Sequence, residues 1–418
     1  MLRQDQNQAG KCRWRCTTDQ MLRKTVLPLS AIALCALLLI GLSACAGSHD
    51  SSGNGLERPA GFTDKQLLGK QLFFDVNLSE PAGQECAACH ASQVGWTGPD
   101  EAIHQGGAVY EGAVTGRFGN RKPPSSAYGG DSPVLHIDAT NGWTGGMFWD
   151  GRATGLTLED PLAEQAMGPF LNPLEQNNAS AGVVVDKVKN SKYADLFKKV
   201  WGTYAFDDTV TAYQMIGRSI AEYERSTKMS PYNSHYDTYV ATGVGLTAQE
   251  TLGLSLFNGS KAKCTNCHSG KDFTDFTYDN LGVPKNPMNP FYSELAFNPL
   301  GTSWVDLGLG GYLKDAGYAI SDYEPELGKF KVPTLRNVDK RQSAGFVKAY
   351  GHNGYFKSLE EIVHFYNTRD VPGALWPAPE YAATMNNNEV GNLGLTPAEE
   401  EAIVAFLKTL TDTLRQSN

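Results

Sequence analysis

The chain has 418 residues and a formal net charge of −9, from 36 Lys and Arg and 45 Asp and Glu. This acidic balance argues against nucleic-acid binding and against electrostatic attachment to anionic lipid, and it would attract basic partner proteins. The length exceeds what one hydrophobic core usually supports, so we expect two domains.

Residues 1–44 have the pattern of an export signal. A short basic stretch begins at Met21, a candidate start, and is followed by the apolar run 26–42 and by small residues before Cys45. Such a pattern is typical of a signal peptide, and the residues just before Cys45 are similar to a bacterial lipobox, whose cysteine carries lipid. An uncleaved transmembrane anchor is the alternative, although the apolar run is short for one. We therefore predict a periplasmic protein that contacts the membrane only through Cys45, with 45–62 as a flexible tether.

Two stretches of the chain repeat one helical pattern. Residues 63–73 and 247–257 both begin with Thr-x-x-Gln/Glu, a capping box, and place Leu, Gly, Leu and Phe at the same offsets. A repeat of this length favours two fused domains over a solenoid, and we place them at 63–235 and 236–418. A closing helix after Thr396, with an N-terminal Pro and one apolar face, should pack on the first helix of the second domain.

Each repeated helix leads to a Cys-x-x-Cys-His motif. The two copies are Cys86, Cys89 and His90, and Cys264, Cys267 and His268. This spacing is typical of c-type haem attachment, because two thiols add to the two vinyl groups of a porphyrin and the next residue turns its imidazole onto the iron. Four cysteines can also bind zinc, but these pairs lie much further apart than those of a zinc ribbon. The sequence therefore predicts two covalently bound haems.

Five further stretches resemble the bacterial di-haem cytochrome c peroxidase and MauG superfamily. They are residues 148–153, 165–169, 172–175, 331–338 and 402–410. With both haem motifs in register, the resemblance covers 63–412. It implies a mainly α-helical fold of two fused class I cytochrome c-like domains whose haems face a shared interface. It also implies that the N-terminal haem meets peroxide and that the C-terminal haem stores and relays electrons.

The resemblance implies roles for four residues around the first haem. His90 would be its proximal ligand, Glu175 the distal acid, and Gln165 and Pro169 further residues of the distal pocket. A carboxyl group in an apolar haem pocket should have a raised pKa, which suits the transfer of a proton between the two peroxide oxygens. The alternatives are a solvated Glu175 in a turn and ordinary helix-end roles for Gln165 and Pro169.

Two further residues are implied between and beside the haems. Trp149 corresponds to an indole that lies between the two haems and would pass electrons or holes; the alternative is a large aromatic that fills the domain interface. Arg152 is expected to bind a haem propionate or a carboxylate, with a surface salt bridge as the alternative.

The residue opposite His268 on the second haem divides the family into subclasses. Ordinary peroxidases have Met there, whereas the helix after the 331–338 stretch places Tyr366 at this position, as in the MauG branch. A tyrosinate favours oxidised iron and should lower the reduction potential. Tyr366 also belongs to an i, i+3, i+4, i+7 apolar stripe, which plain core packing would predict. Met288 and Met385 are the fallback ligands.

The chain departs from the family pattern at three places. His104 is a candidate distal ligand of the first haem in the oxidised resting enzyme, but the segment after it is longer than usual, and an exposed loop His is the alternative. Lys122 stands where the family has an Asn that binds calcium, and the loop near Ala349 has an insertion. Calcium is therefore doubtful, and Lys122 itself is a candidate source of positive charge. Ala262 replaces a surface Trp of methylamine-dehydrogenase maturases, which argues against that particular substrate.

Three functions are compatible with these residues. The leading one is a cytochrome-c peroxidase-type oxidoreductase that reduces hydrogen peroxide to water with electrons from a small cytochrome c or cupredoxin. The alternative is a MauG-like enzyme that uses peroxide to oxidise Trp or Tyr residues of a partner protein, which Tyr366 favours. A non-enzymatic di-haem electron shuttle is third, and Glu175 argues against it. The sequence does not indicate an oligomeric state.

Overall fold

Helices dominate the part of the chain that the computed structural model describes, residues 60–413. These residues belong to one compact unit, Asn54–Asn418. The predicted signal peptide 1–44 and the lipid site Cys45 lie outside the described residues, as does most of the predicted tether. None of the described helices combines the length and the apolar character that crossing a bilayer requires.

The described residues form α-helices and two short antiparallel strand pairs, β1 with β2 and β3 with β4. The helices are α1 (Asp64–Phe73), α2 (Cys86–Cys89), α3 (Glu101–Gln105), α4 (Pro161–Leu171), α5 (Ala181–Lys189), α6 (Ala194–Trp201), α7 (Thr209–Glu224), α8 (His235–Thr242), α9 (Ala248–Asn258), α10 (Gly308–Asp315), α11 (Ile320–Tyr323), α12 (Leu359–Thr368) and α13 (Pro397–Lys408). The strands are β1 (His136–Asp138), β2 (Gly142–Thr144), β3 (Tyr278–Asp279) and β4 (Phe330–Lys331). The mainly α-helical class predicted from the sequence is confirmed.

The repeated helices α1 and α9 begin as the sequence predicts. The Thr63 hydroxyl accepts the Gln66 amide at 3.1 Å, and the Gln66 side chain accepts the Thr63 amide at 3.1 Å. Thr247 and Glu250 make the same reciprocal pair, at 3.2 and 2.7 Å. Thr396 forms a capping box of the same kind at the start of α13. Each box gives two N-terminal amides a partner that the helix itself cannot supply.

Both repeated helices cross a later helix at a glycine. A Cβ on Gly69 of α1 would lie 1.9 Å from the carbonyl oxygen of Ser219 on α7. A Cβ on Gly253 of α9 would lie 1.9 Å from the carbonyl oxygen of Ala402 on α13. The two backbones therefore touch at each crossing, and any side chain there would push them apart. The predicted packing of the closing helix on α9 is confirmed.

Replacing either crossing glycine should destabilise the fold. We expect Gly253→Ala to lower the free energy of unfolding by about 1–3 kcal/mol, because the added methyl group forces α9 and α13 apart. Gly69→Ala should act similarly on α1 and α7. Chemical denaturation of the holoprotein measures both. The control is Gly345→Ala, where a Cβ meets nothing within 4 Å and the change should stay within about 0.5 kcal/mol; equal effects at all three positions would contradict the crossing argument.

The buried apolar residues form two large clusters that follow one another along the chain. The first contains side chains from Phe62 to Met229 and the second contains side chains from Phe257 to Leu410. Two successive cores are what two fused domains would produce. The boundary between 63–235 and 236–418 stays a prediction, since the described residues also form one compact unit.

Candidate active site

Two cavities contain nearly all the residues that the sequence singles out. They enclose about 1090 and 1770 Å³, part of which is open to solvent. We call the smaller one the first cavity. Its wall includes Cys86, Cys89, His90, Trp149, Arg152, Gln165, Pro169 and Glu175. The larger, second cavity has a wall that includes Trp149, Cys264, Cys267, His268 and Tyr366. Residues far apart in sequence thus converge on two sites.

Helix α4 presents two of the predicted residues on one face. The helix begins where the Asp160 side chain accepts the Ala163 amide at 3.2 Å, a favoured N-cap arrangement. Gln165 and Pro169 are four residues apart, which places them one turn apart on the same face, and both line the first cavity. The chain then turns after the helix and brings Glu175 to the same wall.

Glu175 lies at the cavity wall with one oxygen held in place. The Asn172 amide group donates to Glu175 Oε1 at 2.6 Å. Burial raises the pKa of Glu175, and the nearby Arg152 charge and the Asn172 hydrogen bond partly oppose this rise. The raised pKa is the change that the sequence analysis predicts. It suits a carboxyl group that binds a proton and releases it during the reaction.

Arg152 already has protein partners in this cavity. Its Nη1 contacts both oxygens of Asp150, at 2.9 and 3.0 Å, and its guanidinium lies 3.7 Å from the centre of the Phe148 ring. The side chain is 38% exposed. Arg152 therefore lies at the cavity, as predicted for a residue that binds a propionate. It also forms the salt bridge that was the alternative to that role.

The two motif histidines are oriented in the same way. His90 Nδ1 donates to the Trp96 carbonyl at 3.1 Å, and His268 Nδ1 donates to the Phe273 carbonyl at 3.0 Å. Since each Nδ1 carries the proton, each Nε2 keeps a free lone pair, as an iron ligand requires. Burial lowers the pKa of His90 to about 4 and also lowers the pKa of His268. Burial thus favours the neutral form of both imidazoles, which is the form that binds iron.

The donor set fits c-type haem at both sites. None of the four described cysteines forms a disulfide, and each pair lies beside a histidine whose Nε2 is available. The first pair sits on the single turn of α2, and the second begins with a 3-10 turn at Cys264–Asn266. Each of these Cys-Cys-His sets lines one of the two cavities.

Helix α12 presents Tyr366 to the second cavity. The predicted stripe of Leu359, Ile362, Val363 and Tyr366 lines this wall, while Leu359 and Val363 also belong to the second core. Burial, with the thiols of Cys267 and Cys264 nearby, raises the pKa of Tyr366. Met288, in contrast, is 61% exposed, and neither it nor Met385 is among the residues that line the cavity. Of the three candidate ligands, Tyr366 alone shares the wall with the haem motif.

Three residues, Lys122, Pro124 and Trp149, line both cavities. The Trp149 indole donates to the Lys122 carbonyl at 2.8 Å, and its side chain is only 9% exposed. Trp149 therefore stands at the wall that the two cavities share, and its role between two haems stays a prediction.

Comparison with known proteins agrees with this geometry. The sequence model of the di-haem cytochrome c peroxidase family matches residues 63–244. The methylamine utilization protein MauG of Paracoccus denitrificans (strain Pd 1222) is 34% identical in an alignment of 365 positions that covers 82% of this chain and 88% of that protein. The cytochrome-c peroxidase IdrP2 of Pseudomonas sp. (strain SCT) is 30% identical over 92% of this chain and 91% of its own. The diheme peroxidase BthA of Burkholderia thailandensis E264 matches with a TM-score of 0.72 and 32% identity, over 85% of this chain and 87% of that one.

The chain belongs to the di-haem cytochrome c peroxidase family. As a member of this family it is an oxidoreductase that carries two covalently bound c-type haems. The family resemblance and the two haems predicted from the sequence are thereby confirmed.

His104 does not reach either cavity of this peroxidase-family protein. Its Nε2 donates to the Gly98 carbonyl at 2.6 Å, and its Nδ1 accepts the Ala349 amide at 2.9 Å. Both ring nitrogens are thus engaged, and the side chain is only 1% exposed. Burial, with the Lys122 charge nearby, lowers the pKa of His104 to about 4. This geometry does not support the predicted role of His104 as a distal haem ligand. It does not support the alternative, an exposed histidine in a loop, either.

The position aligned with the calcium ligand of the family holds a buried ammonium group. Lys122 Nζ lies 3.3 Å from the Thr97 hydroxyl and 3.2 Å from the Pro123 carbonyl. Burial lowers the pKa of Lys122 to about 8. Calcium prefers several oxygen ligands with negative charge, so calcium stays doubtful at this site. Ala262, where maturases have a surface Trp, is itself only 4% exposed.

Sequence reasoning missed several charged residues of the second cavity. Asp279, Lys331 and Glu389 line its wall. One oxygen each of Asp279 and Glu389 lies within 4.8 Å of the other and of Cys267 Sγ. Asp279 and Glu389 belong to no motif with a recognisable spacing. Lys331, by contrast, opens the family stretch 331–338, so a signal for it was present.

Proposed function

We propose that this protein reduces hydrogen peroxide to water with electrons from a small periplasmic protein, a cytochrome c or a cupredoxin. The reaction is H2O2 + 2 H⁺ + 2 e⁻ → 2 H2O. The observation that carries this proposal is the position of Glu175, whose carboxyl group with a raised pKa shares the first cavity with Cys86, Cys89 and His90.

The haem at the first site would supply the iron that binds peroxide and passes it electrons. Glu175 would then move the proton. Its Oε1 is held by the Asn172 amide, which leaves Oε2 to take a proton from one peroxide oxygen and return it to the other. The protonated oxygen leaves as water. Gln165 and Pro169 would position peroxide beside this carboxyl group from the face of α4.

The second site would store electrons and relay them. We infer that His268 and Tyr366 would both hold the haem iron of this site, because both line the second cavity. Trp149 would bridge the sites, since it lines both walls. We propose that these residues belong to two cytochrome c-like domains, 63–235 and 236–418, whose haems would face a shared interface. Their two separate cores support the division.

We place the protein in the periplasm, with Cys45 as a lipid anchor. The signal-like pattern of residues 1–44 supports export, and c-type haem is attached in that compartment. The acidic net charge of −9 would favour a basic electron donor.

A second candidate function is the MauG-like oxidation of Trp or Tyr residues on a partner protein. Tyr366 at the second cavity favours it, as does the 34% identity to a methylamine utilization protein MauG. The small buried Ala262 weighs against it, because no aromatic side chain stands there to pass holes to the surface.

Steady-state kinetics with reduced small cytochrome c and peroxide separates these functions. The peroxidase reaction predicts sustained turnover, with two cytochromes oxidised for each peroxide consumed. Negligible turnover, together with peroxide-dependent oxidation of a partner protein, would establish the MauG-like function instead. A protein that does not react with peroxide would instead support the third function, a non-enzymatic electron shuttle.

A further inference from the structure

Lys122 occupies the wall between the two cavities. Its side chain is 7% exposed and lines both cavities beside Trp149. Its backbone is fixed on both sides, because its carbonyl accepts the Trp149 indole at 2.8 Å and its amide donates to the His352 carbonyl at 2.8 Å. The position of this lysine is therefore set by the same contacts that set the bridging tryptophan.

The Lys122 ammonium has no acidic partner among the described residues. Its hydrogen bonds go to one hydroxyl and one carbonyl, of Thr97 and Pro123. The adjacent Arg121 forms salt bridges with Asp150 and with Asp306, each at 2.6 Å. A buried ammonium without a counter-charge is costly in free energy. The described part of the protein thus provides no negative charge to pair with the Lys122 ammonium. A counter-charge would have to come from a group bound in the cavities.

The haems bring the missing charge. Each haem carries two propionate carboxylates, and both haems are covalently held by this family member. We propose that Lys122 is the shared counter-ion of the two haems, with its ammonium paired to propionate oxygens at the wall between the cavities. One side chain then couples the electrostatics of both irons. This inference rests on the two haems and is independent of which peroxide-dependent reaction the protein performs.

Two other lysines provide a graded comparison within the same chain. Lys331 lines only the second cavity, where its ammonium donates to the carbonyls of Gly145 and Phe276 at 3.0 and 3.3 Å. Lys357 lines neither cavity, and its ammonium donates at 2.7 Å to three carbonyls, those of His104, Gly106 and Gly354. None of the three lysines forms a salt bridge among the described residues. They differ in whether they face two haems, one haem or none.

The sign of the effect follows from electrostatics. Reduction adds an electron to the haem, so a nearby positive charge favours the reduced form and raises the midpoint potential. Removing the charge should lower that potential. Lys122→Met keeps the length and apolar stem of the side chain and removes only the charge.

The test is a redox titration of the holoprotein. Optical and EPR spectroscopy monitor the titration, so that the midpoint potential of each haem is measured separately. We expect Lys122→Met to lower both midpoint potentials, Lys331→Met to lower only that of the second haem, and Lys357→Met to change neither. Lys122→Arg should restore both values. If Lys122→Met does not retain two haems, the titration uses Lys122→Gln, which keeps a hydrogen-bond donor. We expect this variant to lower both midpoint potentials as well.

Two results would overturn the proposal. The first is a neutral variant at position 122 whose first or second haem keeps the wild-type potential. The second is one tightly bound calcium per wild-type chain in elemental analysis after dialysis, because that ion would then be the shared cation. Neither result depends on turnover, so failure here is distinguishable from failure of the proposed peroxidase reaction.

Discussion

Glu175→Gln should lower kcat/KM for hydrogen peroxide by about 10²–10⁴-fold, the usual contribution of a positioned acid or base. The amide oxygen of the new side chain can still accept from Asn172, so the local hydrogen bond at 2.6 Å has a replacement. What disappears is the group that takes a proton from one peroxide oxygen and returns it to the other. The haem content and optical spectrum of the variant should stay at their wild-type values.

The control for this substitution lies on the same cavity wall. Glu111 also lines the first cavity, but its carboxylate accepts the Gly116 amide and faces solvent. Glu111→Gln should leave kcat/KM within about twofold of wild type, since it removes an equal charge without a proton-transfer role. Glu175→Asp should recover part of the activity because it restores an acid at a shorter reach. A Glu175→Gln variant with wild-type kcat/KM would refute the assigned role.

The pH profile offers a second reading of the same group. Burial raises the pKa of Glu175, so its carboxyl group stays protonated to a higher pH than that of an exposed glutamate. The wild-type profile of kcat/KM should contain one ionisation above the usual range of a glutamate. That ionisation should be missing from the Glu175→Gln profile and present in the Glu111→Gln profile.

Tyr366→Met should raise the midpoint potential of the second haem by a few tenths of a volt, within the roughly 0.8 V that axial ligands span. An anionic oxygen stabilises oxidised iron, whereas a thioether stabilises the reduced form. Tyr366 lines the second cavity with His268, and its position on α12 is fixed by the core residues Leu359 and Val363. A flexible thioether fits the space that the phenol leaves.

The comparison variant is Tyr350→Phe. Tyr350 lines the same cavity, but its hydroxyl donates to the Val338 carbonyl at 3.3 Å, so it is already committed to the protein. Its removal should leave the second potential close to wild type. Equal shifts from Tyr350→Phe and Tyr366→Met would mean that the cavity responds to any lost hydroxyl, and the ligand assignment would fail.

Local spacing explains why much of the site was predictable. The Cys-x-x-Cys-His motif encodes its own geometry, because two thiols one turn apart and the next imidazole face one ligand. Gln165 and Pro169, in contrast, were implied by the family resemblance, and the structure places them one helical turn apart on α4. The glycine crossings could be foreseen in part, since Gly69 and Gly253 occupy the same offset of the two repeated helices.

Long-range contacts explain what the sequence could not reveal. Lys122 reaches the shared wall from a loop, and only the folded chain shows that both cavities meet there. His104 has a side chain suited to bind iron, yet contacts with Gly98 and with Ala349, 245 residues away in sequence, turn it from both cavities. No spacing rule links residues so far apart.

We propose that the two haem sites are unequal: the first iron would keep an open position beside Glu175, and the second would be held by both His268 and Tyr366. EPR and optical spectroscopy of the as-isolated oxidised protein test it most directly. We predict one high-spin and one low-spin ferric haem in equal amounts, with the low-spin signal altered in Tyr366→Met. Two low-spin haems, or a methionine-to-iron charge-transfer band in the wild-type protein, would contradict the claim.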